Sequence, residues 1–447
     1  MSWAEAELGG AQLGDRRLSK RLVKLVDALS AAPTVSIPAA CRGWAETKAA
    51  YRLLDNDALD WRDVLQPHWE CSEQRMGEYA RVLAIQDTTE LDFTSQPGIA
   101  GLGRLNLDAR QGLYLHPTLA VSDTGVALGV LDAWMWTRAA CGEVAVPESR
   151  RWIEGYERAG EQSERLPGTR LVYLADREAD IRELIDAAAR LGHPADYLIR
   201  AHHDRSLAGG ERLWSSFRDL EALGTVRFEL PAQPGRAART VTQELFVQRV
   251  TLADRGNGEQ AVTAILACEV DAPAGVEPIE WRLLTNEVLT TLDELVERIE
   301  WYRKRWLIEI FFRILKSGCK VEARQLATLE RLERGLAIYL IIAWRILLLV
   351  TLGRELPELD CEVLFTPEEW RAAWIVGRRQ APPDSPPSLG EMVRLVGRFG
   401  GHLGRKRDGP PGPKALWQGL QCIMNYVEAL QAVGHLDDPG ARGERCG

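Results

Sequence analysis

The alternation of apolar and polar positions divides the chain into four regions of different character. Residues 1–70 show helical periodicity in short segments, and residues 79–205 alternate apolar runs with amphipathic segments. Residues 206–288 have the pattern of β-strands separated by turns rich in proline and glycine, and residues 291–375 return to helical periodicity. These patterns predict a helical head, an α/β core, a β-rich insertion and a further set of helices.

The second region has the pattern of three strands followed by a helix–strand alternation. The three strands are expected at 81–86, 112–122 and 125–137. A helix, a strand, a second helix and a last strand should follow at 147–165, 171–175, 178–191 and 196–201. This order of elements favours a ribonuclease H-like α/β core.

Beyond the core, the pattern predicts a set of strands and then a C-terminal helical part. The insertion should hold four strands, at 225–230, 240–252, 261–270 and 280–285. The segment 381–388 (APPDSPPS) has the composition of a stiff linker, and helical periodicity resumes at about residue 414.

The stretch IEWYRKRWLIEIFFRILKSG carries four polar residues at a specific spacing. If it forms one α-helix, the four side chains fall within an arc of roughly 60°. These residues are Tyr302, Arg305, Glu309 and Lys316. A carboxylate framed by cations is typical of a site that holds a metal ion against a phosphate. The alternative from this helix alone is a solvated face with i, i+4 charge pairs.

Two aspartates follow apolar strands. Asp87 comes after the strand RVLAIQ, and Asp176 comes after LVYLA. A carboxylate at the end of an apolar strand is costly to bury unless it is paired, hydrogen-bonded or bound to a metal ion. Each aspartate alone could instead be a helix N-cap or a turn residue. Together with Glu309 they make three oxygen donors without histidine or cysteine, which favours Mg²⁺ or Mn²⁺ over zinc.

Composition and charge set limits on these interpretations. The formal net charge of −9 argues against a uniformly basic DNA-binding surface, although cations cluster near both ends of the sequence. The eight cysteines show no C-x-x-C pair, which favours a reduced cytoplasmic setting. The apolar stretch 335–353 is long enough to span a membrane, but Arg345 lies near its middle. We therefore expect a buried helix, with a carboxylate or carbonyl partner for Arg345, and no membrane association.

Three blocks together resemble one known family. QDTTELDF around Asp87, DREAD around Asp176 and the Y-x2-R-x3-E-x6-K signature follow the pattern and order of the IS4-family (IS50/Tn5-like) DDE transposases. The beginning, ELGGAQLGDRRLSKRLVKL and ETKAAYRLLDND, resembles the end-binding domain of that family. The segment GRKRDGPPGPKALWQGL resembles its C-terminal part.

The resemblance implies an organisation and an activity. It implies a helical DNA-binding domain over residues 1–70, a ribonuclease H-like DDE catalytic domain over 71–375 with the β-rich insertion at 206–288, and a linker with a helical dimerisation region over 376–447. The implied activity is cut-and-paste transposition in the bacterial cytoplasm, on double-stranded DNA and in a homodimeric synaptic complex. The protein would cleave the element's inverted-repeat ends through a DNA hairpin and join them to target DNA. Both steps would use two Mg²⁺ ions, with Mn²⁺ as the alternative.

The resemblance also implies roles for individual residues. Asp87, Asp176 and Glu309 would be the catalytic metal ligands. Arg305 and Lys316 would hold phosphates, Tyr302 would position the DNA strand, and Trp281 would stack on a flipped base. Further DNA contacts are expected from Arg177, Arg200, Arg16, Arg17, Lys20, Arg21, Arg405 and Lys406.

The residues themselves leave other interpretations open. Trp281 could be a buried strand residue, and Arg177 and Arg200 could form ion pairs with nearby aspartates or glutamates. The basic runs could be solvated faces. A non-catalytic or repurposed end-binding protein and a nuclease acting on RNA–DNA hybrids are the alternative functions. Metal-dependent cleavage of the element's ends separates all three.

Overall fold

One mixed sheet runs through the middle of the protein. The computed structural model describes residues 2–107, 109–138, 147–230, 238–405 and 408–434, and within these ranges eleven strands join into that sheet. The strands are β1 (Arg81–Gln86), β2 (Thr89–Asp92), β3 (Gly103–Arg104), β4 (Gln111–Ser122), β5 (Ala127–Trp136), β6 (Arg170–Ala175), β7 (Asp196–Arg200), β8 (Gly224–Leu230), β9 (Arg239–Leu252), β10 (Gln260–Val270) and β11 (Glu280–Thr285). Their order is β2-β4-β1-β6-β7-β11-β10-β9-β8, with β3 and β5 also pairing with β4.

Helices cover this sheet and form both ends of the described chain. The N-terminal helices are α1 (Trp3–Leu8), α2 (Arg16–Ala31), α3 (Ile37–Cys41), α4 (Trp44–Leu54) and α5 (Trp61–Gly77). Those of the middle are α6 (Ser149–Arg165), α7 (Arg182–Arg190), α8 (Leu292–Lys304), α9 (Trp306–Arg313) and α10 (Leu329–Glu355). Those at the end are α11 (Pro367–Arg378), α12 (Leu389–Phe399) and α13 (Pro413–Ala432).

The first part of the sheet has the predicted ribonuclease H-like order. β4 is antiparallel to β1 and β5, whereas β1, β6 and β7 run parallel to one another, with α6 and α7 as crossover helices. Apolar runs form these strands, and β1 and β6 are buried at all but their first residue. Such near-continuous burial is typical of parallel strands covered on both faces.

The β-rich insertion extends the core sheet. Its last strand, β11, pairs antiparallel with β7, so β11, β10, β9 and β8 continue the same hydrogen-bonded order. Phe228 on β8 nevertheless stacks on Trp281 on β11, although β9 and β10 lie between their strands. The insertion therefore curls until its two outer strands face each other.

Two predicted helices are interrupted in the structure. The helix expected across 302–316 is broken at Arg305, where the backbone tightens to an Arg305 N–H···O=C Tyr302 bond, and ends in a wider π-helical turn, Ile314–Gly318. The rotation from one side chain to the next is therefore not constant along the whole stretch. The helix expected over 178–191 begins as a short 3₁₀ turn, Arg177–Ala179, because Asp180 turns away to bind the loop after β7.

The C-terminal helices form a second apolar cluster against the end of α10. Trp370, Leu389, Met392, Leu416 and Ile423 are among its buried residues. Helix α12 was not predicted, because its two glycines weaken the helical pattern of its sequence. The proline-rich segment before α12 is tied back to the body, since the Pro387 carbonyl accepts a hydrogen bond from the Cys361 N–H.

Helix α10 is the buried apolar helix expected from the sequence. It is long and apolar enough to cross a membrane by length and composition, but 89% of its most apolar window is buried inside the protein. The partners predicted for Arg345 are confirmed: its guanidinium lies 3.6 Å from the Glu369 carboxylate and 3.4 Å from the Leu364 carbonyl, and it packs over Trp3. Protein atoms therefore already cover its apolar surface.

A buried polar contact fixes the N-terminal helices to the core. The Glu7 carboxylate on α1 accepts two hydrogen bonds from Arg75 on α5, at 2.8 and 2.9 Å. His68 Nε2 accepts the Val130 N–H of β5, so His68 Nδ1 carries the hydrogen donated to Glu7. Burial opposes ionisation of Glu7, but His68 and Arg75 outweigh it and lower the pKa of Glu7 to about 2.

Loss of this carboxylate should loosen the head. We expect Glu7→Gln to destabilise the protein by about 2–3 kcal/mol, because Arg75 and His68 lose a charged buried partner. The loss should show as a lower thermal midpoint at pH 7. Since the folded pKa is depressed, Glu7 stabilises the fold above its unfolded pKa near 4.5, and the difference should shrink as the pH falls towards 2.

The matched control for this test is Glu5→Gln, an exposed change on the same helix. It should leave the midpoint unchanged. Equal midpoints for Glu7→Gln and the unchanged protein at pH 7 would contradict the proposed contribution of this contact.

Candidate active site

Asp87 occupies a break in an otherwise continuous strand. β1 and β2 pair with the same edge of β4 in one register. The two residues between these strands, Asp87 and Thr88, are not paired with β4. That register places Pro117, which has no N–H to donate, opposite Asp87. The Thr88 N–H donates to Asp87 Oδ1 at 2.8 Å, which fixes the orientation of the carboxylate.

The second aspartate lies at the same level of the sheet. β1 and β6 are parallel with Ile85 beside Leu174, and the same register continued by two residues places Asp87 beside Asp176. Asp176 Oδ1 accepts the Glu178 N–H at 2.8 Å and so caps the 3₁₀ turn. The N-cap role considered from the sequence is therefore real, but it occupies only one carboxylate oxygen.

Arg305 joins the first aspartate to the glutamate. Its guanidinium donates to Asp87 Oδ2 at 2.8 Å and to Glu309 Oε1 at 3.3 Å. Because one planar guanidinium spans the gap, the two carboxylate oxygens are within roughly 9 Å of each other. The break in the helix at Arg305 thus coincides with the residue whose side chain reaches back to the sheet.

The electrostatics of this group are those of crowded carboxylates. Burial raises the pKa of Asp87 to about 7, with Arg305 opposing the rise and the charges of Asp176 and Glu309 adding to it. An ionised Asp87 is therefore expensive here without more positive charge than one guanidinium supplies. Additional cationic charge would favour its ionised form.

The donor set fits a hard divalent cation, but its three members are not gathered around one point. Carboxylate oxygens are the ligands that Mg²⁺ and Mn²⁺ prefer. Over the described ranges, no three of the acidic, histidine or cysteine side chains are close enough together to hold one ion. The Arg305 guanidinium lies between Asp87 and Glu309 and forms an ion pair with each of them.

Aromatic side chains form a wall beside Arg305. Tyr302 is buried, and burial raises the pKa of its hydroxyl. Trp281 packs edge-on against Tyr302, with ring centroids 5.8 Å apart, and stacks on Phe228 at 5.6 Å with an 8° angle between the planes. Arg303 covers the Phe228 ring at 4.3 Å. Sequence reasoning missed Phe228, whose only signal was an aromatic residue at a buried position of a strand that alternates buried and exposed residues.

Lys316 lies at the other side of the site. Burial lowers the pKa of its ammonium group, and the charges acting on it most are those of Glu322, Glu90 and Asp92. Glu90 and Asp92 belong to β2, which follows Asp87 directly. Two of the three acids that act on Lys316 therefore belong to the strand that follows Asp87, whereas Glu309 forms its ion pair with Arg305.

Arg177 and Arg200 do not form the ion pairs considered from the sequence. Within the described part of the chain, neither makes a salt bridge, and Arg200 donates only a 3.5 Å contact to the Glu280 carbonyl. Their possible partners are engaged elsewhere, since Asp196 binds Arg170 and Asp180 binds Arg205. Both guanidinium groups remain available on the side of the site that carries Asp176 and β7.

The last residue of DREAD has a structural role that sequence reasoning missed. Asp180 is 3% exposed and accepts the backbone N–H groups of His202 and His203 at 2.7 and 2.8 Å. Its other oxygen binds the buried Arg205 guanidinium. Asp180 therefore fixes the loop after β7 to the turn that carries Asp176.

The terminal cations lie away from this site. Arg16, Arg17 and Lys20 are exposed on α2, Arg21 is half-buried, and these four make no ion pair with any residue that the structure describes. Near the other end, the Arg405 N–H donates to Asp408, while Lys406 lies outside the described residues.

Comparison with known proteins gives matches along most of the chain. The transposase DNA-binding family matches residues 1–59, the transposase DDE domain family matches 156–345, and the transposase Tn5 dimerisation domain family matches 341–437. The DDE match includes Asp176 and Glu309 and begins beyond Asp87.

Comparison with solved structures also gives a match. The cryo-EM structure of the piggyBac transposase synaptic complex with hairpin DNA is similar over 79% of this chain and 72% of that one, with 10% identity and a TM-score of 0.38. The family matches carry the assignment. With DNA-binding, DDE and Tn5 dimerisation domains in this order, the chain belongs to the Tn5-like DDE transposases, which are enzymes.

Proposed function

We propose that this DNA transposase moves its element by a cut-and-paste reaction. It would bind the inverted-repeat ends, cleave the DNA strands and join the 3′ ends to target DNA. The observation that carries the proposal is the position of Asp87 beside Asp176 at the ends of two parallel strands, with Glu309 across one guanidinium. These three residues are the proposed catalytic carboxylates.

Divalent metal dependence is general for a DDE domain. We propose two Mg²⁺ ions, with Mn²⁺ as the alternative, held by the oxygens of Asp87, Asp176 and Glu309. When bound, such a pair activates the attacking oxygen and stabilises the leaving oxygen of a phosphodiester. The raised pKa of Asp87 supports this assignment, because a nearby cation would favour the ionised carboxylate.

The protein's own cations would hold the DNA strand at the carboxylates. Arg305 is suited to bidentate contact with a phosphate, but here it donates to Asp87 and Glu309. We therefore propose that Arg305 exchanges carboxylate for phosphate when the strand enters. Lys316, beside the β2 acids, would hold a phosphate on the other side, and Tyr302 would offer its hydroxyl to the strand.

The aromatic wall would hold a base that leaves the duplex. A tight DNA hairpin needs an unstacked base near the turn, and aromatic faces lower the cost of unstacking. Trp281 stacks one face on Phe228 and meets Tyr302 edge-on, and Tyr302 is one of the four residues of the Y-x2-R-x3-E-x6-K signature. The hairpin step is part of the proposal, and Trp281 is the residue proposed to receive the base.

The remaining domains would select the DNA and pair two protomers. Residues 1–70 would bind the ends through Arg16, Arg17, Lys20 and Arg21, residues 71–375 would cleave, and residues 376–447 would form the dimer contact. Arg177, Arg200, Arg405 and Lys406 would add DNA contacts. We propose that the protein works in the bacterial cytoplasm as a homodimer in the synaptic complex.

Removal of a carboxylate should abolish cleavage without loss of DNA binding. We expect Asp87→Asn, Asp176→Asn and Glu309→Gln each to reduce Mg²⁺-dependent cleavage of end-containing DNA by roughly a thousandfold or more, because each removes an anionic metal ligand. Glu178→Gln, next to Asp176 but exposed, is the control and should retain activity. An active Asp176→Asn protein would show that the site is assigned wrongly.

Arg305 should determine how much the protein gains from added metal. Arg305→Gln leaves the crowded carboxylates without their internal cation, so we expect a loss of about 1–3 kcal/mol in the absence of divalent metal. Added Mg²⁺ should then raise its thermal midpoint more than it raises that of the unchanged protein. Arg313→Gln, exposed on the same helix, is the matched control. If added Mg²⁺ raised the thermal midpoint equally in all three proteins, the bridging role of Arg305 would be contradicted.

Trp281 should affect the hairpin step more than first-strand cleavage. We expect Trp281→Ala to reduce hairpin formation about tenfold or more, since base–aromatic stacking is lost, and to leave first-strand nicking nearly unchanged. A denaturing gel that resolves nicked, hairpin and open ends measures both steps. Trp214→Ala, an aromatic change on the neighbouring loop, serves as the control. Undiminished hairpin formation would exclude the stacking role.

A further inference from the structure

Trp44 is the most exposed large apolar side chain in the described ranges, with 80% of its surface accessible. It is the first residue of α4, in the stretch that matches the transposase DNA-binding family. A single exposed apolar residue is common on protein surfaces and needs no partner. The neighbouring residues on α4 therefore indicate whether Trp44 has a binding partner.

The outer face of α4 continues from Trp44 with two cations. Lys48 and Arg52 follow at i+4 and i+8, so the three side chains lie on one face of the helix. All three are exposed, and neither cation forms an ion pair with any residue that the structure describes. The opposite face, with Ala50, Leu53 and Leu54, is buried in the core.

Helix α4 is the second helix of a tightly turned pair in the head. Helix α3 and α4 are joined by the two-residue turn Arg42–Gly43, where Arg42 has a φ of 55°, and both pack on α2. In such an arrangement the second helix enters the major groove, and residues at its N-terminal end contact base edges. The turn is held from the other side by the ion pair of Arg42 with Glu428 on α13.

We propose that the outer face of α4 reads the sequence of the transposon end in the major groove. Trp44 would contact base edges, thymine methyl groups being the apolar feature that the groove offers, while Lys48 and Arg52 would bind the flanking phosphates. The cations of α2 would then hold the backbone without selecting a sequence. This inference rests on the proposed end-binding function and adds the residue that supplies specificity.

The test compares two duplexes on the full-length protein. One carries the terminal sequence of the element, and the other is a scrambled duplex of equal length and composition. Trp44→Ala should lower the preference for the first duplex by about ten- to a hundredfold, as loss of a base contact does, and Trp44→Phe should keep most of it. Lys48→Gln should weaken the binding of both duplexes by the same factor. It should also reduce the slope of log affinity against log salt concentration by about the amount that one phosphate contact contributes.

Each outcome bears on a different claim. If Trp44→Ala kept its preference for the terminal duplex, or lost affinity equally for both duplexes, the assignment of α4 would be overturned. The proposed end binding would remain intact. If the unchanged protein shows no preference between the duplexes, end binding itself fails. A lowered thermal midpoint of Trp44→Ala would make Trp44 a structural residue and overturn the inference. Val288→Ala, another exposed apolar position, is the control and should match the unchanged protein.

Discussion

The ion pairs of Arg305 with Asp87 and Glu309, next to Asp176, are the interaction on which the arrangement of the site depends. Parallel pairing of β1 and β6 forces Asp87 and Asp176 to the same edge, where burial raises the pKa of Asp87 to about 7. Arg305 balances part of this charge by donating to Asp87 and Glu309. In the proposed mechanism this group exchanges its internal cation for external ones, because both kinds of cation compete for the same oxygens.

The surrounding fold positions the residues of the site. Pairing of β11 with β7 joins the insertion to the core, and its curl brings Phe228 against Trp281, which in turn packs against Tyr302. The head is fixed by Glu7, whose carboxylate links α1 to α5 and, through His68, to β5. Buried hydrogen bonds therefore connect the head to the core sheet that carries Asp87 and Asp176.

The sequence predicts the elements well where local pattern and burial agree. The predicted strands at 81–86 and 280–285 match β1 and β11, since both are short runs bounded by turn residues. The sequence could not predict the break at Arg305, the Asp180 clamp or the Phe228 stack, because each depends on a partner far away in the chain. The sequence also carried no sign that Arg305 would lie between Asp87 and Glu309, two of the three residues predicted as metal ligands.

The position of the metal ions tests this account most directly. Crystals of the protein with Mn²⁺ and end DNA, measured at the manganese absorption edge, would locate each ion by its anomalous signal. We predict a peak within coordination distance of both Asp87 and Asp176, with Arg305 turned from Asp87 towards a DNA phosphate. Crystals that contain bound DNA but no manganese at these aspartates, with Arg305 still bound to Asp87 and Glu309, would contradict the proposed metal site.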